Sequence, residues 1–347
     1  MKTNMESRPN QQQAQPQNQP QARQSDAASE RSSARVQKLD KELLLNWPLP
    51  MPSGDGDKED RGHVLVIGGS REMPGAVILA ATAALRAGAG KLTVATGASV
   101  AQLVASALPE SRVIGLPETA EGGIELASAD LLDQLIGKVD AVLIGPGMQD
   151  EPAICAFVQA LLPKFSDTRI VLDACAMGVV RNMQSAQPDP AASPGHDAGS
   201  RHAAQVRLAN LVLTPHAGEM AHLTGDDKDS IQADPLAAVC AAAIKWNAVV
   251  ALKGAATFIT SPAGDVWQHE GGNIGLAISG SGDTLAGIIA GLAARGASLE
   301  QATAWGVALH AQAGEQLAQR IGSLGYLARD IAGEVPGLLD RFGRQAI

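Results

Sequence analysis

Short apolar runs alternate with helix-like segments along most of this chain, and this alternation limits the folds that it can form. Runs of β-branched and aliphatic residues bounded by glycine, proline or polar residues are typical of buried strands. We predict strands over 63–67, 91–95, 112–116, 140–144, 169–172, 211–213 and 248–252, and a hairpin over 257–260 and 265–268. We predict helices over 75–87, 99–107, 128–136, 151–162, 217–223, 234–246, 283–295, 298–319 and 334–342. This pattern favours an α/β fold with a mainly parallel central sheet covered by helices on both faces.

Two segments do not fit this pattern. Residues 1–35 contain no Val, Ile, Leu, Phe, Tyr or Trp, so they cannot bury enough apolar surface to offset the entropy of ordering. We assign residues 1–38 to a disordered polar tail and residues 39–347 to a single α/β domain. Within that domain, residues 181–206 are rich in Pro, Ser, Gly and Asp, which predicts a mobile surface insertion.

The composition argues against several classes of function. The 27 Lys and Arg residues against 36 Asp and Glu residues give a net charge of −9, which disfavours a nucleic-acid partner. The three cysteines lack the spacing of a zinc site or a disulfide framework. The N-terminus lacks the apolar core of a secretory signal, and no apolar run is long enough to cross a bilayer. We therefore expect a cytoplasmic protein without a membrane partner.

The most informative stretch is residues 271–295, which read GGNIGLAISGSGDTLAGIIAGLAAR. Its glycine-rich half runs into a helix pattern, so that Gly280, Ser281 and Gly282 lie at a predicted helix N-terminus. Unpaired N–H groups and the helix dipole attract anions to such a place. Asp283 falls in the first turn, where a carboxylate is more commonly a helix cap than a catalyst. This stretch alone therefore does not assign a catalytic role to Asp283.

Other chemically suitable residues follow the predicted strands, and ligands bind at the carboxyl ends of strands in an open parallel sheet. The sequence KGAAT, from Lys253 to Thr257, combines a cation, a glycine and a hydroxyl in a way that suits a phosphate or a ribose. A lysine whose amine simply lies in water would give the same pattern. His216, Glu219 and Asp173 suit either a substrate contact or the capping and ordering of nearby loops.

Five segments occur in the order GGSREMPGAVILAATAALRAGAG, IGPGM, LTPHAGEM, KGAAT and GGNIGLAISGSGDTLAGIIAGLAARG. Together they resemble the ADP-dependent NAD(P)H-hydrate dehydratases, a branch of the ribokinase-like superfamily. The GSGD element marks the superfamily, whereas LTPHAGE with MPGA and ALRAGAG points to this branch. The resemblance extends over residues 46–341 and implies that the α/β fold is ribokinase-like.

The resemblance implies a repair reaction in which the (S) epimer of hydrated NADH or NADPH (NADHX or NADPHX) and ADP give NAD(P)H, AMP and phosphate. A kinase-like site suits this dehydration because a ring hydroxyl is a poor leaving group, whereas its phosphate ester leaves readily. Asp283 would accept the hydroxyl proton, and an anion hole of Gly280, Ser281 and Gly282 would present N–H groups to the transferred phosphate. The other implied contacts are Lys253, Gly254, Ala255, Ala256, Thr257 and Gly282 for the AMP part of the nucleotide, and Ala76, Gly147, His216 and Asp283 for the hydrated cofactor.

The same resemblance implies a homotetramer. We also expect a Mg²⁺ ion, because phosphoryl transfer needs its charge neutralised. No DxD or similar cluster identifies the metal ligands. We also expect a separate epimerase as a partner, since no second domain precedes the motif region and the reaction uses one epimer. The chain departs from the family at residues 173–177, where it has DACAM in place of the frequent DADAL.

Two alternative functions remain open at this level. A ribokinase-like kinase of a small alcohol, such as a thiazole or a hydroxymethylpyrimidine, would share the GSGD element but would not need a groove for a dinucleotide. A non-catalytic nucleotide sensor on the same fold would not need the carboxylate of Asp283, so the presence of that residue argues against a sensor.

Overall fold

Ten strands form one mixed sheet within the residues that the computed structural model of the protein describes, 36–52, 56–182 and 210–345. They are β1 (Val36–Lys38), β2 (His63–Ile67), β3 (Lys91–Gly97), β4 (Arg112–Leu116), β5 (Ala141–Ile144), β6 (Arg169–Leu172), β7 (Leu211–Leu213), β8 (Val249–Leu252), β9 (Thr257–Thr260) and β10 (Val266–His269). Their order across the sheet is β1-β10-β9-β8-β7-β6-β5-β2-β3-β4. Among these strands, only β9 runs antiparallel to its neighbours. The predicted, mainly parallel sheet is confirmed.

Helices connect most of the parallel strands. They are α1 (Lys41–Asn46), α2 (Pro74–Arg86), α3 (Ala101–Ala107), α4 (Ser128–Leu131), α5 (Glu151–Leu161), α6 (Ala217–Thr224), α7 (Lys228–Ala233), α8 (Pro235–Trp246), α9 (Ser281–Ala294), α10 (Leu299–Arg320) and α11 (Ala328–Gln345). Short 3₁₀ helices span Asp133–Leu135, Leu162–Phe165, Ala174–Arg181 and Ile274–Leu276. In the described ranges, no helix is both long enough and apolar enough to cross a membrane.

Strand β2 shows how the sheet is covered on both faces. Its residues Val64 and Val66 pack into a core with alanines of α2 and α9, whereas Leu65 and Ile67 pack into a second core that includes Phe157 of α5. All four β2 side chains are fully buried. The two faces alternate because successive side chains of a strand point to opposite sides. This two-sided burial explains why the sequence of β2 is a continuous apolar run.

The structure changes the predicted boundary between the tail and the α/β domain. Residues 36–38, which we assigned to the tail, form β1, which pairs in parallel with β10 through Val36 opposite Val266 and Lys38 opposite Gln268. The pairing comes from a distant hairpin, so the polar local sequence does not predict it. The described residues belong to one compact unit, Val36–Ile347. The rest of the predicted tail, and the predicted insertion beyond residue 182, lie outside the described residues.

Helices α2 and α9 approach each other closely because glycines of α9 meet the backbone of α2. A Cβ atom added to Gly287 would overlap the carbonyl oxygen of Ala80, and one added to Gly291 would overlap that of Ala84. Both pairs advance by four residues along each helix, so the two helices run parallel. Their N-termini therefore lie at the same end of the pair, which is the end that carries Asp283.

We expect Gly287→Ala to destabilise the protein by about 1–3 kcal/mol, because the added methyl group must push α9 away from α2. Chemical denaturation in urea measures the change. The matched control is Gly333→Ala in α11, where no atom lies within 4 Å of the added Cβ. That substitution should leave stability unchanged or raise it by about 0.5–1 kcal/mol, since alanine is the better helix former. Equal effects at the two positions would contradict the close approach of α2 and α9.

Candidate active site

The N-terminus of α9 is the centre of the candidate site. Gly280 precedes the helix with φ of 88°, a left-handed conformation that favours glycine. A Cβ atom on Gly280 would lie 2.5 Å from Cδ1 of Leu79, so α2 also excludes a side chain there. The N–H of Ser281 donates to the carbonyl of Ile278 at 3.3 Å. Because the Ser281 N–H is already used, the better placed donors of the predicted anion hole are the N–H groups of Gly280 and Gly282.

Lys253 directs its ammonium group toward this helix start. Its backbone N–H donates to the carbonyl of Pro215 at 2.8 Å, which fixes the residue just beyond β8. A Cβ atom on Gly282 would lie 3.3 Å from Nζ of Lys253, so the charge lies directly beside the first turn of α9. A cation at this point is suited to a phosphate that also contacts the helix N-terminus.

Acidic side chains surround the ammonium group of Lys253. Its Nζ lies 3.4 Å from Oδ1 of Asp173 and 3.7 Å from Oε2 of Glu219. Burial acts to lower the pKa of Lys253, but Asp173, Glu219 and Asp283 together outweigh it and raise that pKa above its ordinary value. Lys253 is therefore positively charged throughout the physiological pH range.

Asp283, in the first turn of α9, has the electrostatic properties of a general base. Desolvation and the negative charges of Asp173 and Glu219 raise its pKa to about 6, although the charge of Lys253 acts in the opposite direction. At neutral pH the carboxylate is mostly ionised, yet its proton affinity is far higher than that of an exposed aspartate. A base whose pKa lies near the working pH is the most effective in proton transfer.

Asp173, just beyond β6, is almost completely buried, with 3% of its surface exposed. The hydroxyl of Thr214 donates to its Oδ1 at 2.6 Å, and the same oxygen lies near Lys253. Our site assignment from the sequence omitted both Asp173 and Glu219, although each follows a predicted strand. The signal that could have identified them is that β6, β7 and β8 are neighbours, which brings the residues after these strands to one edge.

His216 caps α6 through reciprocal hydrogen bonds with Glu219. The Glu219 N–H donates to Nδ1 of His216 at 3.1 Å, and the His216 N–H donates to Oε2 of Glu219 at 2.8 Å. This arrangement confirms the capping role that the sequence left open, and it assigns the lone pair of Nδ1 to the backbone. The imidazole is exposed at the same edge of the sheet as Lys253, with which His216 forms an isolated parallel bridge.

Ala76, in the first turn of α2, and Gly147, in the loop after β5, meet in the structure. A Cβ atom on Gly147 would lie 2.6 Å from Cβ of Ala76, so the two residues are in close contact. The register of α2 against α9 places Ala76 one turn before Ala80, as Asp283 is one turn before Gly287. Ala76 and Asp283 therefore share the same end of the helix pair. The structure thus brings these predicted substrate residues toward one region of the sheet edge.

The segment KGAAT forms the turn between β8 and β9. Leu252 pairs with Phe258 across this antiparallel connection, and Gly254 and Ala255 at its tip are exposed. Glycine and alanine leave the backbone of the turn open to a flat or extended ligand. The turn begins at Lys253, so a nucleotide that contacts it could also reach the N-terminus of α9.

A separate cavity of about 580 Å³ opens beyond the ends of β1 and β10. Its walls include residues of α1, α10 and α11, and none of the predicted site residues lines it. The described residues also contain no group of three or more His, Cys, Asp or Glu side chains that could hold a metal ion. The charged side chains around Lys253 and Asp283 therefore lie apart from this cavity.

Comparison with known proteins identifies the family. The sequence model of NAD(P)H-hydrate dehydratase matches residues 64–336, which include the candidate site. The chain belongs to the NAD(P)H-hydrate dehydratase family. A Xanthomonas campestris protein, called ADP-dependent (S)-NAD(P)H-hydrate dehydratase, is 47% identical over 310 residues, which are 89% of this chain and 98% of that protein.

Solved structures show that this chain has a ribokinase-like fold, as predicted. A ribokinase-like superfamily protein of Enterococcus faecalis gives a TM-score of 0.71 at 27% identity and covers 88% of this chain and 96% of its own. The ADP/ATP-dependent NAD(P)H-hydrate dehydratase of Bacillus subtilis, co-crystallised with ATP/Mg²⁺, gives a TM-score of 0.70 at 27% identity. That similarity covers 89% of this chain and 99% of the Bacillus chain.

We expect Lys253→Met to raise the pKa of Asp283 above its value of about 6, because the substitution removes the positive charge that opposes protonation. Carbon-13 NMR of the aspartate carboxyl groups measures the titration, and the Asp283→Asn variant identifies the resonance. Lys228→Met, at an exposed lysine in α7, is the matched control and should leave the titration of Asp283 unchanged. An unchanged midpoint in Lys253→Met would show that Lys253 does not act on Asp283.

Proposed function

We propose that this protein catalyses the ADP-dependent dehydration of (S)-NADHX or (S)-NADPHX to NAD(P)H, with AMP and phosphate as the other products. The observation that carries the proposal is the position of Asp283. Its raised pKa, its place in the first turn of α9 and the nearby ammonium group of Lys253 combine a base with an anion site. The membership of the family and the similarity to the Xanthomonas enzyme support this choice of substrate.

The proposed reaction has two steps. The oxygen of the ring hydroxyl attacks the terminal phosphorus of ADP while Asp283 accepts the hydroxyl proton, and the bond from that phosphorus to the AMP oxygen breaks. The resulting ester then loses phosphate, which takes the electron pair of the C–O bond. A proton leaves the neighbouring ring carbon, and the ring double bond of the reduced nicotinamide is restored.

The start of α9 would stabilise the transferred phosphoryl group. The N–H groups of Gly280 and Gly282, together with the dipole of a helix of 14 residues, favour negative charge at that position. The ammonium group of Lys253 adds a full positive charge on the same side. These groups are fixed before the reaction, so little reorganisation is needed when charge develops.

The ligand contacts in the proposal follow the loops at the sheet edge. The turn from Lys253 to Thr257 would hold the AMP part of the nucleotide, together with Gly282. The hydrated cofactor would lie against Ala76, Gly147, His216 and Asp283. The exposed imidazole of His216 would contact a substrate through Nε2, which lies 3.6 Å from Oε2 of Glu219, because its Nδ1 is already used to cap α6.

We propose that Mg²⁺ binds together with the nucleotide. Proteins usually hold this ion through one or two carboxylates, while phosphates and water supply the other oxygens. Asp173 and Glu219 would supply these carboxylates; both now lie within 4 Å of the Lys253 ammonium group, which a bound ion would displace from them. The bound ion would neutralise phosphate charge.

The partners in the proposal follow from the chemistry of the substrate. Hydrated nicotinamide exists as two epimers, so an enzyme that takes the (S) form needs a separate epimerase to consume the other. A homotetramer and a cytoplasmic location are also part of the proposal, on the basis of the family resemblance. Gel filtration with light scattering tests the tetramer, and fractionation of cells tests the location.

The decisive assay adds (S)-NADHX or (S)-NADPHX and ADP to the purified protein. We expect the absorbance of the reduced nicotinamide to return, with one AMP and one phosphate formed for each molecule restored. A stable phosphate ester of a small alcohol, with no recovery of that absorbance from either hydrate, would instead favour the kinase of the same fold. Replacement of ADP by ATP in parallel reactions identifies the preferred phosphoryl donor.

We expect Asp283→Asn to lower turnover by at least ~100-fold, because the amide cannot accept the hydroxyl proton. Nucleotide binding, measured by calorimetry, should be largely kept because the anion site is unchanged. The matched control is Asp167→Asn, at an exposed position before β6, which should have wild-type turnover. If Asp283→Asn has wild-type turnover, then Asp283 is not the base.

A further inference from the structure

His310 lies in the middle of α10 and contacts the N-terminus of α9. Its Nε2 is 3.0 Å from the hydroxyl oxygen of Ser281 and 3.1 Å from the carbonyl oxygen of the same residue. Ser281 itself is buried, with 5% of its surface exposed. A single imidazole nitrogen therefore reaches both the side chain and the backbone of the middle residue of the anion hole.

The carbonyl contact determines which nitrogen of His310 carries the proton. A carbonyl oxygen can only accept a hydrogen bond, so Nε2 must be protonated to interact favourably at 3.1 Å. In the other tautomer, two lone pairs would face each other at this distance. The Nε2–H is therefore shared between the carbonyl and hydroxyl oxygens of Ser281.

The imidazole of His310 is neutral under working conditions. Desolvation lowers its pKa to about 4 and the charge of Lys253 acts in the same direction, while the bond to the Ser281 carbonyl acts against them. A neutral donor is compatible with the developing negative charge nearby and adds no competing cation that would bind the phosphate itself. The contact between His310 and Ser281 should therefore stay unchanged across the pH range in which Asp283 titrates.

Besides the contact with His310, the Ser281 N–H donates to the Ile278 carbonyl, and the Gly280 carbonyl accepts from the N–H and the hydroxyl of Thr284. Glycines flank Ser281 on both sides, and glycine has the greatest backbone freedom of any residue. Ser281 is thus the one residue between Gly280 and Gly282 that offers a side chain for anchoring. Anion stabilisation depends on donors that are oriented before the reaction. An anchor on Ser281 would supply that orientation.

We propose that His310 is a positioning residue, whose Nε2–H holds Ser281 so that the N–H groups of Gly280 and Gly282 face the transferred phosphoryl group. This inference rests on the proposed function for its catalytic consequence. The contact itself is independent of which substrate the enzyme uses. His310 acts through Ser281 and does not touch the substrate.

The test compares His310→Leu, which removes the donor, with His310→Gln, whose side-chain amide can donate to Ser281. We expect His310→Leu to lower kcat by roughly 10-fold or more, below the ~10²–10³-fold loss typical when an oxyanion donor itself is removed. The KM values for both substrates should change by less than about threefold, since the donors act mainly on the transition state. His310→Gln should recover most of kcat, and Gln319→Leu, at an exposed position of α10, is the matched control.

A second measurement separates this inference from the proposed function. Hydrogen exchange of the Gly280–Asp283 amides should be faster in His310→Leu than in the wild-type protein and near normal in His310→Gln, whatever the substrate. Unchanged exchange in His310→Leu would overturn the inference even in an active enzyme. An inactive wild-type protein would instead contradict the proposed function, and the exchange result would still decide the role of His310. Equal loss of kcat in the Leu and Gln variants would also overturn the inference.

Discussion

The close approach of α9 to α2 is the constraint on which the site depends. Gly287 and Gly291 allow the backbones of the two helices to meet at the carbonyl groups of Ala80 and Ala84. The helix whose N-terminus is the proposed anion site is thereby fixed against the helix that follows β2. Any residue larger than glycine at these positions would move the first turn of α9 relative to the strand-end loops.

Four charged side chains meet at the start of α9. Asp173, Glu219 and Asp283 lie near a single lysine, Lys253, so the region is acidic before any ligand binds. Burial and the neighbouring carboxylates raise the pKa of Asp283 to about 6, which suits the proposed role of a base.

The sequence predicts the elements that are buried on both faces, because their apolar runs are unambiguous. Strands 63–67, 169–172 and 211–213 occur with the predicted bounds. The prediction failed at β1, which forms only through pairing with β10. It also placed the start of α11 at residue 334, whereas the helix begins at Ala328; the helix includes Pro336, as predicted. His310 was missed because a histidine within a helix of small residues has no local signal. Its partner, Ser281, is on another helix.

In the proposed mechanism, a phosphoryl group is transferred to the ring hydroxyl and the C–O bond breaks afterwards. The most direct measurement uses (S)-NADHX labelled with ¹⁸O in that hydroxyl, incubated with the enzyme and ADP. Mass spectrometry should find the label in the released phosphate, because the attacking oxygen leaves with phosphorus. Label found in water, with none in phosphate, would show that the hydroxyl departs without phosphorylation and would contradict the mechanism.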